Sequence, residues 1–213
     1  MTPDELHAIA LSLGIAAAAT AIDLPVALLL GTWFARHRST AIVLVEALVM
    51  APLVLPPVVT GYGLLLLFGP RGLGLPVAFT PAAAVLASAV VALPLFVRGV
   101  RHAVEGVDTT LVEAARSLGA SPWAAWRRVV LPLALPGVLG GAVLAFARAV
   151  GEFGATAVFA GSIAGRTRTV PLAIYGALQQ VDDGGTAWRL SLAAVGLSLL
   201  GAVAAELIAR RRT

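Results

Sequence analysis

The stretch E-A-A-R-S-L-G-A-S at residues 113–121 is charged and lies between two long apolar runs. Asp108 precedes it as a good helix N-cap, and Gly119 can adopt the left-handed conformation that ends a helix. Ser121 then precedes Pro122, a favourable pair for beginning a second helix. The spacing predicts two short helices at a membrane surface that dock a soluble partner. An interfacial helix pair without a partner stays open as the alternative.

The composition is that of a membrane protein. Hydrophobic residues make up 59% of the 213 residues and charged residues 12%, against about 25% charged residues in soluble domains. Cysteine is absent, which excludes disulfides and thiol chemistry. The three histidines are far apart and predict no metal site. The net charge of +4 comes with arginines interleaved between apolar runs, which favours membrane orientation over nucleic-acid binding.

Apolar runs long enough to cross a bilayer as helices occur five times, since about 20 residues span its core. They are Leu6–Ala35, Ala41–Phe68, Pro81–Val100, Leu133–Phe153 and Trp188–Ala209. We expect a single all-α transmembrane domain over residues 1–213. The acidic start and long first run predict an uncleaved first span.

Arginine placement predicts the orientation of the spans. Most arginines fall on one side if the N-terminus is outside and the C-terminus inside, as the positive-inside rule requires. The inner set is Arg36, Arg38, Arg98, Arg101, Arg116, Arg127, Arg128, Arg210, Arg211 and Arg212, and the outer set is Arg71, Arg166 and Arg168.

The sequence also predicts the conformation of the second span and of the longest outer segment. The second span contains Pro52, Pro56 and Pro57, which predict a kinked helix that either lines a wet pathway or serves packing alone. Residues 154–187 form the longest outer, non-spanning stretch. Within it 170–181 has near-helical apolar spacing and 182–185 predicts a turn.

The segment at 113–121 also resembles the "EAA" coupling loop of bacterial ABC importer permeases. The resemblance rests on Glu113-Ala114-Ala115, on Gly119 three positions after Arg116, and on the prolines at 132 and 136. It implies the MetI-like permease fold, with residues 108–131 as a cytoplasmic coupling segment. It also implies that Glu113, Ala114, Ala115, Arg116 and Gly119 couple the chain to a cytoplasmic ATPase.

Longer stretches are similar to the molybdate permease subfamily: 146–156, 159–175 and 52–59 followed by Gly61-Tyr62. The resemblance implies a molybdate permease subunit in a bacterial or archaeal inner membrane. Its implied partners are two ATPase subunits, an external oxyanion-binding protein and a second copy of the chain. Tungstate and sulfate or thiosulfate permeases stay open as alternatives, and so does a membrane scaffold that recruits a soluble partner.

The chain has no lysine, and hence no phosphate-binding loop ending in Gly-Lys-Ser/Thr. No catalytic residue or cofactor is therefore expected, and ATP hydrolysis is assigned to a partner subunit.

An oxyanion needs a wet passage with hydrogen-bond donors, because bare charge is costly to bury. The candidate pathway residues are Arg148, Gly151, Glu152, Thr156, Pro56 and Pro57. Arg148 lies four positions before Glu152, and this spacing permits an ion pair. Asp23 is another possible partner for Arg148, and direct contact of Arg148 with the anion is the alternative to a structural pair.

Overall fold

The computed structural model describes residues 1–37, 39–180 and 184–210, with the backbone alone at 184, 197, 201, 202 and 204–210. Every regular element within these residues is helical. The helices are α1 Pro3–Arg36, α2 Thr40–Val54, α3 Pro57–Phe68, α4 Pro81–Glu105, α5 Thr109–Ser117, α6 Pro122–Ala125, α7 Leu131–Val150, α8 Gly154–Phe159, α9 Val170–Leu178 and α10 Gly184–Arg210. A π-helical turn, Trp126–Val130, joins α6 to α7. Asp182 and Asp183 of the predicted turn, together with Val181, Arg38, Arg211, Arg212 and the side chain of Arg210, lie outside the described residues.

Three described helices are long and apolar enough to cross a membrane: α1, α4 and the continuous helix Pro122–Val150. The pair α2 and α3 makes a fourth candidate span when taken together, and α10 contributes a shorter apolar stretch, Gly185–Leu200. Each of the five predicted spans is therefore helical in the structure, the second as the pair α2 and α3. The count of five spans and the orientation stay predictions.

The second predicted span is two helices and not one kinked rod. α2 and α3 meet at 112°, with Leu55 extended at the junction. The break has a local cause, because Pro56 and Pro57 lack N–H groups and a residue before proline is disfavoured in the α conformation. Consecutive prolines thus end one helix and begin the next.

The second helix of the coupling segment, predicted to be short, is the first part of a long helix in the structure. α6 continues through the π-helical turn into α7, so that Pro122–Val150 is one helix of 29 residues. Within the turn the Leu131 N–H donates to the carbonyl of Trp126. Pro132, which follows directly, has no N–H to donate. The wider π turn therefore lets the helix pass the proline without a break.

α4 is the central helix, since it packs extensively against both α1 and α7. Small residues permit the close approach. A Cβ on Gly99 would lie 2.7 Å from the Cα of Gly141 in α7, and one on Gly31 of α1 would lie 2.7 Å from Val100. This is the small-residue packing expected between membrane helices.

The first part of the stretch predicted as an outer, non-spanning segment packs into the core of the bundle, and its position outside the membrane stays a prediction. Gly154, Ala155, Thr156 and Phe159 of α8 are buried. A Cβ on Gly61 of α3 would lie 2.6 Å from the Ala155 carbonyl oxygen, which shows how closely the two helices pack. The helix predicted at 170–181 is present as α9 and ends at Leu178.

Ion pairs mark the two ends of the bundle. At one end Arg189 of α10 donates to Glu5 of α1, with Arg189 Nη2 2.6 Å from Glu5 Oε1. At the other end Arg101 pairs with Glu46 of α2. Arg36 lies at this second end and shares a cleft with Glu113. Several residues predicted to face the cytoplasm are therefore grouped at the end that carries the coupling segment.

Candidate functional site

α5 is a capped helix on the surface of the bundle. The Asp108 carboxylate accepts a hydrogen bond from the Thr110 N–H at 2.9 Å, which lowers the pKa of Asp108 below its ordinary 3.8 because the bond favours the charged form. At the other end Gly119 has φ +87°, and the Ala120 N–H donates to the carbonyl of Ala115. The predicted cap and the predicted glycine stop are both confirmed.

The side chains of α5 are available to a partner. The structure describes the whole of α5, and none of its residues is buried. Glu113, Ala114, Arg116 and Gly119 are exposed, and Ala115 is half-buried. Leu118 is 89% exposed at the end of α5. Charged and apolar groups are thus exposed side by side on the coupling segment.

A cleft beside α5 separates it from the beginning of the next helix. Its volume is about 400 Å³, and Leu118, Gly119 and Arg128 are among its lining residues. The Ser121 hydroxyl accepts from the Ala124 N–H at 3.2 Å, which confirms the predicted cap of the second helix. The coupling segment therefore offers a groove as well as a helix face.

Near the C-terminal end of the Pro122–Val150 helix, Arg148 forms the predicted ion pair with Glu152. Its Nη1 lies 2.8 Å from Glu152 Oε2, without the alignment of a hydrogen bond. The partners differ in burial, because the Glu152 side chain is 1% exposed and that of Arg148 is 28% exposed. Among the described residues Arg148 contacts Glu152 and not Asp23, whose Oδ2 is buried without a hydrogen-bond partner.

Glu152 has a second role that the sequence analysis missed. Its Oε1 accepts the buried Ala155 N–H at 2.8 Å and so caps the first turn of α8. A carboxylate at a helix N-terminus satisfies a free N–H and is favoured there by the helix dipole. The signal in the sequence is an acidic residue two positions before a run of small residues, 154–157. One carboxylate therefore ties the end of α7 to the beginning of α8.

The other pathway candidates are only partly brought together. Pro57 begins α3 and lies against α8, where a Cβ on Gly154 would be 2.9 Å from the Pro57 Cβ. Thr156 is fully buried, and its hydroxyl donates to the Phe153 carbonyl at 2.9 Å, so that this donor is already used. Gly151 and Pro56 are exposed.

Two regions thus stand apart. Pro122, where the coupling segment enters the long helix, and Arg148 lie near opposite ends of that helix, about 40 Å apart at 1.5 Å per residue. Among the residues that the structure describes, no group of three His, Asp or Glu side chains is arranged to hold a metal ion. The arrangement joins an exposed surface helix, α5, to a buried polar junction inside an apolar helix bundle.

The family described as "Binding-protein-dependent transport system inner membrane component" matches residues 27–213. The chain belongs to this family, and is accordingly a multi-pass inner-membrane permease subunit of an ABC transporter. It is 43% identical to the molybdenum transport system permease protein ModB of Haemophilus influenzae, over 97% of this chain and 94% of the relative. Identity is 41% with ModB of Escherichia coli K12, over 99% of this chain and 96% of the relative.

A solved structure confirms the fold. The chain matches an inward-facing structure of the MetNI methionine ABC transporter with a TM-score of 0.79 and 22% identity, and the match covers 100% of both chains. The chain therefore has the MetI-like all-α permease fold predicted from its sequence.

Proposed function

We propose that this chain is the permease subunit of an importer that carries molybdate across the inner membrane. The observation that carries the proposal is the similarity to molybdenum transport permeases, at 41–44% identity over nearly the whole chain. Tungstate is the nearest alternative substrate, because the two oxyanions share charge and shape.

In this proposal a separate cytoplasmic ATPase hydrolyses ATP. This ATPase docks on the segment 108–131 of the permease. Glu113, Ala114, Ala115, Arg116 and Gly119 form the docking face. Its support is the exposure of α5, whose charged groups are available for ion pairs and whose alanines leave room for a partner's groove to close. Two permease chains, two ATPase subunits and an external oxyanion-binding protein complete the transporter.

The proposed topology has five spans, with the N-terminus outside and the C-terminus inside. Its support is the grouping of Arg36, Arg101 and the coupling segment at one end of the bundle. The pair α2 and α3 acts as one broken span. Irregular backbone within a membrane survives where protein or a wet cavity surrounds it, which suits the junction at Pro56 and Pro57 to a pathway wall.

In the proposed pathway Arg148 and Glu152 position the junction between α7 and α8. The partly exposed guanidinium of Arg148 supplies a positive field, and Glu152 holds it in place. Gly151, Thr156, Pro56 and Pro57 supply the surrounding backbone. A passage needs weak attraction, because a tight anion site would retain the ion.

Radiolabelled molybdate uptake tests the substrate. A strain that lacks its own molybdate permease would receive this chain with its ATPase and binding protein, and unlabelled molybdate, tungstate and sulfate would compete. We expect uptake to be restored, with strong competition by tungstate and little by sulfate. Equal competition by sulfate, or no uptake from a correctly inserted chain, would contradict the proposal.

Cysteine crosslinking tests the docking face, because the chain has no native cysteine. Ser117→Cys places a thiol on α5, and Ser39→Cys places a matched control between α1 and α2. We expect the Ser117 variant to crosslink to single-cysteine variants of the ATPase, and the Ser39 variant to do so far less. A membrane scaffold would instead purify without a stoichiometric ATPase.

A further inference from the structure

We propose that the inner end of α1 and the beginning of the Pro122–Val150 helix form a binding site for an anionic phospholipid. Between them lies a groove of about 520 Å³, within the usual size range of ligand pockets. We call it the inner groove; its lining includes Leu29, Thr32, Trp33, Arg36, Trp123 and Trp126. It opens at the end of the bundle that carries the coupling segment.

The polar groups of the inner groove are donors. Arg36 and His37 lie exposed at its mouth. Deeper in the lining, Trp126 Nε1 and Thr32 Oγ1 are buried atoms without a hydrogen-bond partner among the described residues. An indole N–H can only donate, and an unpaired buried donor is unfavourable. A phosphodiester with its ester carbonyls offers acceptors and negative charge, and so complements this set.

A second, apolar groove borders the inner groove, which argues for a lipid and against a small soluble anion. This second groove, of about 490 Å³, lies between α1 and α7 and shares Leu28 with the lining of the inner groove. Its lining is almost entirely apolar and includes Leu24, Leu135 and Phe146. From Arg36 to Leu24 the axial distance is about 18 Å. That length is close to one leaflet, since the bilayer core is about 30 Å thick.

Charge and aromatic placement select an anionic headgroup. Basic pockets between membrane helices on the cytoplasmic side bind acidic lipid headgroups, and tryptophans favour the headgroup level. Trp123 and Trp126 stack with their ring centroids 4.9 Å apart and form one wall. The inner groove thus has the Arg36 guanidinium and the His37 ring at its mouth, aromatic rings below them and an apolar groove beyond.

The tryptophans of the chain provide the assay. Three of the four, Trp33, Trp123 and Trp126, line the inner groove, and Trp188 lies at the beginning of α10, near the Glu5–Arg189 end. Full-length Trp188→Phe protein reports on the groove. A matched protein with the other three tryptophans changed to phenylalanine reports on general lipid contact. Both would be placed in nanodiscs of phosphatidylcholine and phosphatidylglycerol, with one lipid brominated at a time.

We expect brominated phosphatidylglycerol to quench the groove tryptophans in preference to brominated phosphatidylcholine, by about fivefold in apparent affinity for one well-placed cation. Trp188 should show no preference. Arg36→Gln with His37→Gln should remove the preference, and Trp126→Phe should weaken it while the ring packing is kept. An unchanged melting temperature verifies that each variant is folded.

Equal quenching of the groove tryptophans by both lipids would overturn the inference, because it would describe ordinary surrounding lipid. Quenching by neither lipid would also overturn it, because the groove would then be covered by protein, such as a second copy of the chain. Retention of the preference in both groove variants would show that the named groups do not hold the headgroup. Because this assay measures lipid contact alone, its failure leaves the molybdate proposal untouched.

Discussion

Replacement of Glu152 by glutamine separates its two contacts. The Glu152→Gln side chain keeps an oxygen that can accept the Ala155 N–H, but it lacks the charge that faces Arg148. Loss of one partner of a buried ion pair costs about 3–5 kcal/mol. Because the Arg148 side chain is 28% exposed, water offsets part of that cost, and we expect about 2 kcal/mol.

A double-variant cycle measures the pair itself. Arg148→Met leaves the almost fully buried Glu152 uncompensated, so it should destabilise more than Glu152→Gln. The double variant removes both charges, and we expect it to recover at least about 1 kcal/mol relative to the sum of the single variants. Thermal unfolding in nanodiscs should show the Glu152→Gln loss as a fall of about 4–8 °C in Tm.

Molybdate uptake by the same variants distinguishes a structural pair from an anion contact. We expect the double variant to recover uptake together with stability, because the pair positions the α7–α8 junction. A double variant that is stable but transports no molybdate would instead assign Arg148 a direct contact with the ion. A coupling energy near zero between the two substitutions would refute the ion-pair reasoning altogether.

Three further predictions address the coupling segment and the core. Gly119→Val should reduce molybdate uptake by a correctly inserted chain, because the backbone angle φ of +87° costs a β-branched residue about 1–2 kcal/mol. Gly119→Asn should retain more uptake. Equal loss of uptake in both variants would contradict the backbone argument. Gly99→Ala should lower Tm, since its Cβ would lie 2.7 Å from the backbone of α7, whereas the control Gly140→Ala meets open space and should not. The Asp108 carboxylate has a lowered pKa in the folded chain, so its cap is present above pH 3.8 and is lost as the pH falls through the folded pKa. Spin-label mobility on α5 should therefore rise with acidification below pH 3.8 in the native chain, and Asp108→Asn, which keeps a neutral cap, should flatten that change.

Local chemistry explains which parts of the structure were predictable. Asp108, Gly119 and Ser121 act through bonds to residues two to four positions away, so their roles can be inferred from spacing. The pair between Arg148 and Glu152 is local in the same sense. Apolar run length also predicted the long helices, because the bilayer sets a minimum span.

Features that depend on distant contacts were not predictable from spacing. α8 is short and lies in the stretch predicted to be non-spanning; its packing on α3 depends on Gly61 and Gly154, which let the backbones approach. The central position of α4 likewise follows from its contacts with α1 and α7. Consecutive prolines at 56 and 57 indicated a bend, but its angle of 112° depends on what the second half packs against.

The continuity of Pro122–Val150 has a mechanical consequence. A hinge near Pro122 would let α5 tilt independently of the helix that follows it, whereas a continuous helix of about 43 Å transmits a displacement along its length. A displacement of its Pro122 end therefore reaches the Arg148–Glu152 junction as a shift or rotation of the helix. The π turn at Trp126–Val130 is the one place along it where the hydrogen-bond register widens, and insertion or deletion of a single residue there would rotate the two ends relative to each other by about 100°.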